Sequence, residues 1–300
     1  SLPRRPSPAT TIALGALALL AGLPAAAQRD FSEVEIEATH VAGTVHMLEG
    51  AGGTMGVSVG PDGILLVDDQ YAPLADKIKA ALGKLGEGKL EFVLNTHWHG
   101  DHTGGNTTFG EIAPIIAHDN VRRRLSTTQE VRGRTVEPLP PEGLPVITFE
   151  DSVKIHFNGE EIHVVHVPHA HTDGDSVVFF TGSNVVHMGD NLFAGWFPFV
   201  DLEAGGSVAG LIEAVETILP RLPEDVKIIA GHGPLSTKKD LAAYLDMLKR
   251  TTAIIRERMD SGQSLEAIQE AGLPEEWAGW SWRFIDTETW IEIVYKSYSE

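Results

Sequence analysis

The sequence predicts an α/β protein of two similar halves, whose sheets face each other with helices outside. Short valine- and isoleucine-rich runs, punctuated by glycine and aspartate turns, give way to helical apolar faces, and this succession occurs twice. At the end of one such strand the stretch NTHWHGDHTGGN packs three histidines and an aspartate into six consecutive positions.

From Val34 to Val67 the chain reads as several strands joined by turns at Gly43, Gly50–Gly53 and Pro61-Asp62-Gly63. Leu74 to Leu85 carries apolar residues at 74, 75, 78, 81, 82 and 85, a helical face. Leu90 to Leu94 is a short strand that delivers the histidine cluster. Strand-like Ile112 to Ile116 and a basic helix over Asn120 to Leu125 follow, then a polar, proline-bearing stretch from Ser126 to Pro145 that reads as a linker or lid. The second half repeats the style, with strands near Val153–Phe157, Glu161–Val167, Ser176–Thr181 and Asn184–His187, a helix over Ser207–Leu219 and a strand over Lys227–Ala230. Helices over Thr237–Met259 and Ser264–Ala271 lead to a tail bearing Trp277, Trp280, Trp282 and Trp290, an aromatic set expected to pack a core.

Residues 1–27 have the layout of a secretory signal peptide: Arg4 and Arg5, an apolar run from Thr11 to Leu23, then Ala25–Ala27. The run is shorter than the roughly 20 residues a membrane span needs. The expectation is export, to the periplasm or outside, with cleavage near Ala27, a single domain over 28–300 and no span in the mature chain. The net charge of −19 becomes about −21 once the two arginines are removed, which disfavours nucleic acid and anionic lipid as partners. Cysteine is absent, so neither disulfides nor thiolate ligands are available.

His97, His99, Asp101 and His102 form H-x-H-x-D-H, a pattern expected by chance in about one such sequence in a thousand. On an extended segment His97 and His99 share a side, and a chain turning into a helix presents Asp101 and His102 beside them. Four polar side chains separately satisfied at the end of one apolar strand are harder to build than a metal site. His40, His46, His118, His156, His163 and His187 are read as hydrogen-bonded residues without metal.

These residues resemble the metallo-β-lactamase superfamily, whose H-x-H-x-D-H motif is followed by isolated histidine and acidic ligands at later strand ends. The resemblance spans Val34 to Leu235 and implies a four-layer αββα sandwich. In HVPHAHTDGD it makes His171 the third ligand of a first metal, with His169 the competitor and His166 the weaker one. Asp190 in VVHMGDNLF stands where the dinuclear hydrolases of the family bridge both ions. His232 in KIIAGHGP matches the last ligand of the second metal, alongside Asp101 and His102. Asp68, ending ILLVD, resembles an acid that orients a ligand histidine.

Imidazole and carboxylate donors suit zinc first and tolerate iron or manganese. Two ions sharing a water lower its pKa towards about 7, which provides a nucleophile at neutral pH. Asp101 has a second expected role, orienting that nucleophile or passing its proton onward. The expected activity is hydrolysis of an amide or ester bond in a small molecule, with β-lactams and lactones the first to test. Family β-lactamases carry a cysteine in place of Asp190 and a lysine three residues later; here Phe193 stands there, which limits the expectation to weak or moderate β-lactam turnover. GDNLF resembles the glyoxalase II branch, so a thioester hydrolase is the alternative, although the tail offers no basic cluster for glutathione. A non-catalytic metal-containing envelope binding protein is the reading from another class. Phe193, Trp196, Phe197 and Phe199 are candidates for an apolar wall or for core, and Gly50–Gly56 for a hairpin flap over the metals.

Overall fold

The computed structural model describes residues 30–131 and 133–299; the expected signal peptide lies outside the described residues. Strands β1 (Glu37–Ala42), β2 (Val45–Glu49), β3 (Met55–Gly60) and β4 (Gly63–Val67) form an antiparallel meander. Its last turn uses Gly63 at φ 118°, a conformation that L side chains resist. Helix α1 (Ala75–Leu85) carries the chain to β5 (Leu90–Leu94), parallel to β4. Short helices α2 (Gly100–Thr103) and α3 (Asn106–Gly110) precede β6 (Ile115–His118) and α4 (Asp119–Leu125). A hairpin of β7 (Gln129–Val131) and β8 (Arg134–Val136) stands apart, and β9 (Ile147–Phe149) closes a seven-stranded sheet in the order β1-β2-β3-β4-β5-β6-β9.

The second sheet is built from β10 (Ser152–Phe157), β11 (Glu160–His166), β12 (Ser176–Phe180) and β13 (Val185–His187), each antiparallel to the last. Helix α5 (Val208–Ile218), capped by the Ser207 hydroxyl on the Gly210 N–H, returns the chain to β14 (Lys227–Ile229), parallel to β13. The edge strand β15 (Ser236–Thr237) leads into α6 (Lys238–Asp260), whose start is fixed by reciprocal Thr237 and Asp240 capping bonds. Helices α7 (Leu265–Ala271) and α8 (Thr287–Ser299) follow.

The layers follow from which faces are apolar. Between the sheets, Val45, Leu65, Val67 and Leu94 of the first meet Ile162, Val164, Val178 and Ile229 of the second. Leu66 and Val93 on the outer face of the first sheet pack on Ile78 and Leu82 of α1, while α5, α6 and α8 cover the second sheet. β4 is buried along its whole length, as a strand covered on both faces must be. The expected four-layer α/β sandwich is therefore the observed one. Among the described residues no helix is long and apolar enough to cross a membrane.

Three local expectations change. The strand expected from Ile112 begins only at Ile115, because Ile112 and Ala113 close a turn on the Phe109 carbonyl and Pro114 has no N–H to give a ladder. Ser126–Pro145 is not featureless: it contains the β7–β8 hairpin, and Leu139 and Leu144 pack near Trp98 and Leu125. The tail forms a further helix, α8, whose Trp290, Ile291 and Val294 are buried.

Candidate metal centre

The ligand-type residues gather where strands end. β5 runs into Asn95-Thr96-His97; β11 ends five residues before His171; β13 is followed by the turn holding Asp190; β14 ends three residues before His232. Within the second sheet β11, β13 and β14 run the same way, so their carboxyl ends share one edge. His99 ends the extended run with ψ 146°, and its carbonyl accepts the N–H groups of His102 and Thr103. That single turn swings Asp101 and His102 round beside His97.

All seven residues expected to hold metal come together. His97, His99, His171 and Asp190 form one group able to hold an ion, and Asp101, His102 and His232 another. Asp190 reaches both. Its Oδ2 lies 3.5 Å from His171 Nε2, 3.8 Å from His97 Nε2 and 3.4 Å from His232 Nε2, while its Oδ1 lies 3.1 Å from His102 Nε2. Asp101 Oδ2 is 3.4 Å from His232 Nε2. His169 instead bonds the Gly205 carbonyl and His166 stacks on His118, so neither competitor joins the cluster.

Each of four imidazoles has its tautomer set from outside. His102 Nδ1 donates to Asp68 Oδ2 at 2.7 Å, His99 Nε2 to Asp201 Oδ2 at 2.8 Å, and His171 Nδ1 to the Phe199 carbonyl at 2.8 Å. The Thr96 hydroxyl gives its proton to Asp68, so it accepts the Nδ1–H of His97 at 3.0 Å. The remaining ring nitrogen of every one faces the cluster. His171 Nε2 and His99 Nδ1, both thereby left as acceptors, lie 2.9 Å apart. Two lone pairs at that distance repel unless a cation sits against both. His97 Nε2, His102 Nε2 and Asp190 Oδ1 are likewise buried without a hydrogen-bond partner, so the residues present fit metal ions.

The electrostatics agree. Burial, then the neighbouring His102, pushes His97 well below the usual histidine range, and burial against the opposing pull of Asp190 brings His171 down to about 4. Both are neutral, as ligands must be. On the other side burial is outweighed by Asp190 and Asp101, which raise His102 well above its ordinary value; Asp190 and Asp101 raise His232 to about 9. Burial likewise opposes ionisation of Asp190, but His232, His102 and His97 hold it well below the carboxylate range. The pocket demands positive charge, and a cation supplies it to the same atoms.

A strained corner supports the cluster. Asp68 and Gln70 adopt φ 61° and 54°, unusual for residues other than glycine. Gln70 Nε2 donates to the Gly53 carbonyl at 2.6 Å and its Oε1 accepts from Ala51 N, which ties down the Gly50–Gly53 loop. Gly53 lies so close to the His102 ring that a β-carbon would overlap it. The expected flap is thus a fastened stop for one imidazole.

Asp201, Gln70 and Thr96 carry no sequence signal that separates them from ordinary turn residues. The aromatic expectation divides: Phe197 is core, stacked on Trp290, whereas Phe193 stacks on His232 and Phe199 lies 5.9 Å from the His99 ring. Trp282, expected as core, stands half-buried 6.4 Å from His232.

Solved structures resemble this fold. A stereoselective inverting sec-alkylsulfatase from Pseudomonas sp. matches with a TM-score of 0.68 at 15% identity, over 88% of this chain and 50% of that one. A metallo-beta-lactamase from Pontibacter korlensis matches at 0.59 and 16% identity, over 72% of this chain and 99% of that one. In sequence, a hydroxyacylglutathione hydrolase of Gloeobacter violaceus is 36% identical over 121 residues, 40% of this chain and 42% of that protein. The chain spans about half the length of the first curated relatives it matches. The family model described as the metallo-beta-lactamase superfamily matches residues 59–232, with the ligand-type cluster lying inside that span, and the chain belongs to that superfamily.

Proposed function

We propose that the protein is a dinuclear metal-dependent hydrolase, with zinc as the first metal, acting on an amide, ester or thioester carbonyl in a small molecule. The observation that carries the reading is Asp190, a buried carboxylate held between two groups of ring nitrogens, of which His97 Nε2 and His102 Nε2 are buried without a hydrogen-bond partner. His97, His99 and His171 would hold one ion, Asp101, His102 and His232 the other, and Asp190 both. Such ions, when bound, lower the pKa of a water and stabilise negative charge developing on a carbonyl oxygen.

The chain's own residues orient and hold protons. Asp68, Asp201 and the Phe199 carbonyl fix which nitrogen each imidazole offers, so little reorganisation is left for the reaction. Asp101, with a side chain 24% exposed, is the acid of the cluster most open to solvent. That exposure supports its second role, accepting a hydrogen bond from the attacking water and passing a proton outward.

Thioesters join β-lactams and lactones as substrates to test because several relatives are named hydroxyacylglutathione hydrolase. Metal analysis of the purified protein should give about two ions per chain. A panel of penicillins, cephalosporins, lactones and thioesters, with His99→Ala as control, then selects the bond. One ion or none at saturation would overturn the dinuclear reading, and turnover of no substrate would favour a metal-containing binding protein. Export belongs to the same proposal, supported by the layout of residues 1–27; a mature protein beginning near Gln28 in the periplasmic fraction is the result expected.

A further inference from the structure

An arc of aromatic rings joins the two ligand groups along one side of the cluster. From His232 it passes to Trp282 at 6.4 Å, to Phe284 at 5.6 Å, to Phe199 at 6.1 Å, and ends at His99 and His171, 5.9 and 5.8 Å further on. Phe193 fills the inside of the bend, stacked on His232 at 5.0 Å and 6.0 Å from Trp282. Trp196 backs Trp282 in a parallel stack at 5.0 Å.

The arc has two origins in the chain and is held by hydrogen bonds at Trp282. Phe193 to Phe199 follow the turn that carries Asp190, whereas Trp282 and Phe284 come from the irregular stretch between Trp280 and α8. Trp282 Nε1 donates to the Phe197 carbonyl at 2.9 Å, and the Trp282 N–H to the Ile285 carbonyl at 3.0 Å, so ring and backbone are both held. Buried Trp277 and Trp290 anchor the segment on either side. Yet Phe284 is 48% exposed and Trp282, Trp196 and Phe199 are only half-buried. A contiguous, partly exposed apolar surface beside a polar cluster marks a binding site more than a packing need.

We infer that this arc is the wall that selects substrate, and that it takes a flat apolar group, an aromatic or fused ring, attached next to the scissile carbonyl. The inference rests on the hydrolase reading of the cluster. A carbonyl set between the two ligand groups brings a ring one or two bonds away against Trp282, Phe284 and Phe199, where offset and edge contacts are favourable. Charge points the same way: the chain carries −19, and Arg283 is the one cation between residues 281 and 286, so a multiply anionic substrate gains little.

The test compares 1-naphthylacetate with acetate, two carboxylates that differ in the ring alone. Titrated into the metal-loaded protein, naphthylacetate should quench tryptophan fluorescence saturably and bind at least about tenfold tighter than acetate. Trp282→Ala and the exposed Phe284→Ala should each remove most of that difference, and Trp282→Phe should restore much of it. With naphthylacetyl and acetyl thioesters of one thiol, the same variants should raise KM for the ring-bearing substrate and leave kcat nearly unchanged. Equal affinity for the two acids, or a loss with Arg283→Ala as large as with Trp282→Ala, would overturn the inference. Ring-dependent binding without hydrolysis of any β-lactam, lactone, ester or thioester would support the wall and sink the hydrolase reading; hydrolysis indifferent to the ring would do the reverse.

Discussion

Asp201 Oδ2 lies 2.8 Å from Nε2 of His99, across 102 residues of sequence. The bond obliges His99 to offer Nδ1 to the cluster, and so determines how the first ion group is shaped. Removing it in Asp201→Ala frees the ring to rotate and to change tautomer. Metal affinity, measured by competition with a chromogenic chelator, should fall about 10- to 100-fold with the fold intact by circular dichroism. An unchanged affinity would mean that packing against Phe199 alone orients His99.

Asp190 serves both groups through its two oxygens, and its loss should be felt by both. Asp190→Ala should lower the metal bound at saturation from about two ions per chain to one or fewer, and activity by at least about 100-fold. Chelator-treated wild-type protein should lose activity and regain it on adding zinc. Full occupancy and activity in Asp190→Ala would remove the bridging role.

Gly53 occupies a position where backbone conformation would tolerate alanine but space would not. The added methyl overlaps the His102 imidazole, so either the Gly50–Gly53 loop lifts from Gln70 or the ring leaves Asp68. Gly53→Ala should cost about 1–3 kcal/mol of stability and reduce activity far more than a change at an exposed helical glycine with open space around it, such as Gly83→Ala. Urea denaturation and the turnover number measure the two effects separately.

His118 and His166 stack at 3.6 Å, away from the metal cluster. Burial, then the adjacent His166, brings His118 down to about 4. Because its folded pKa is lowered, the unfolded chain takes the proton first as pH falls. The stability is complete above about 6.5 and is lost as pH falls towards 4. His118→Asn keeps an acceptor for the Asn120 N–H that the ring now caps, and should flatten the fall in urea midpoint between pH 7 and pH 5.

Most of the strands, their apolar faces and the ligand-type residues are legible in the sequence alone. H-x-H-x-D-H is legible because four of the seven lie on one strand end and the turn after it, where local geometry brings them together. Asp68 and the later three were readable from strand-end position within a known family pattern. The hairpin inside Ser126–Pro145 and the late start of β6 were not, because short strands and a proline stop leave little periodicity. Packing settles which nitrogen four of the imidazoles present, that Gln70 fastens the glycine loop, and that Trp282 stands by His232 while Phe197 lies in the core. Apart from the bond of Thr96 to its neighbour His97, these relationships join residues 17 to 102 positions apart. They depend on how two sheets and a C-terminal helical layer pack, and a contact made by packing leaves no fixed spacing in the chain.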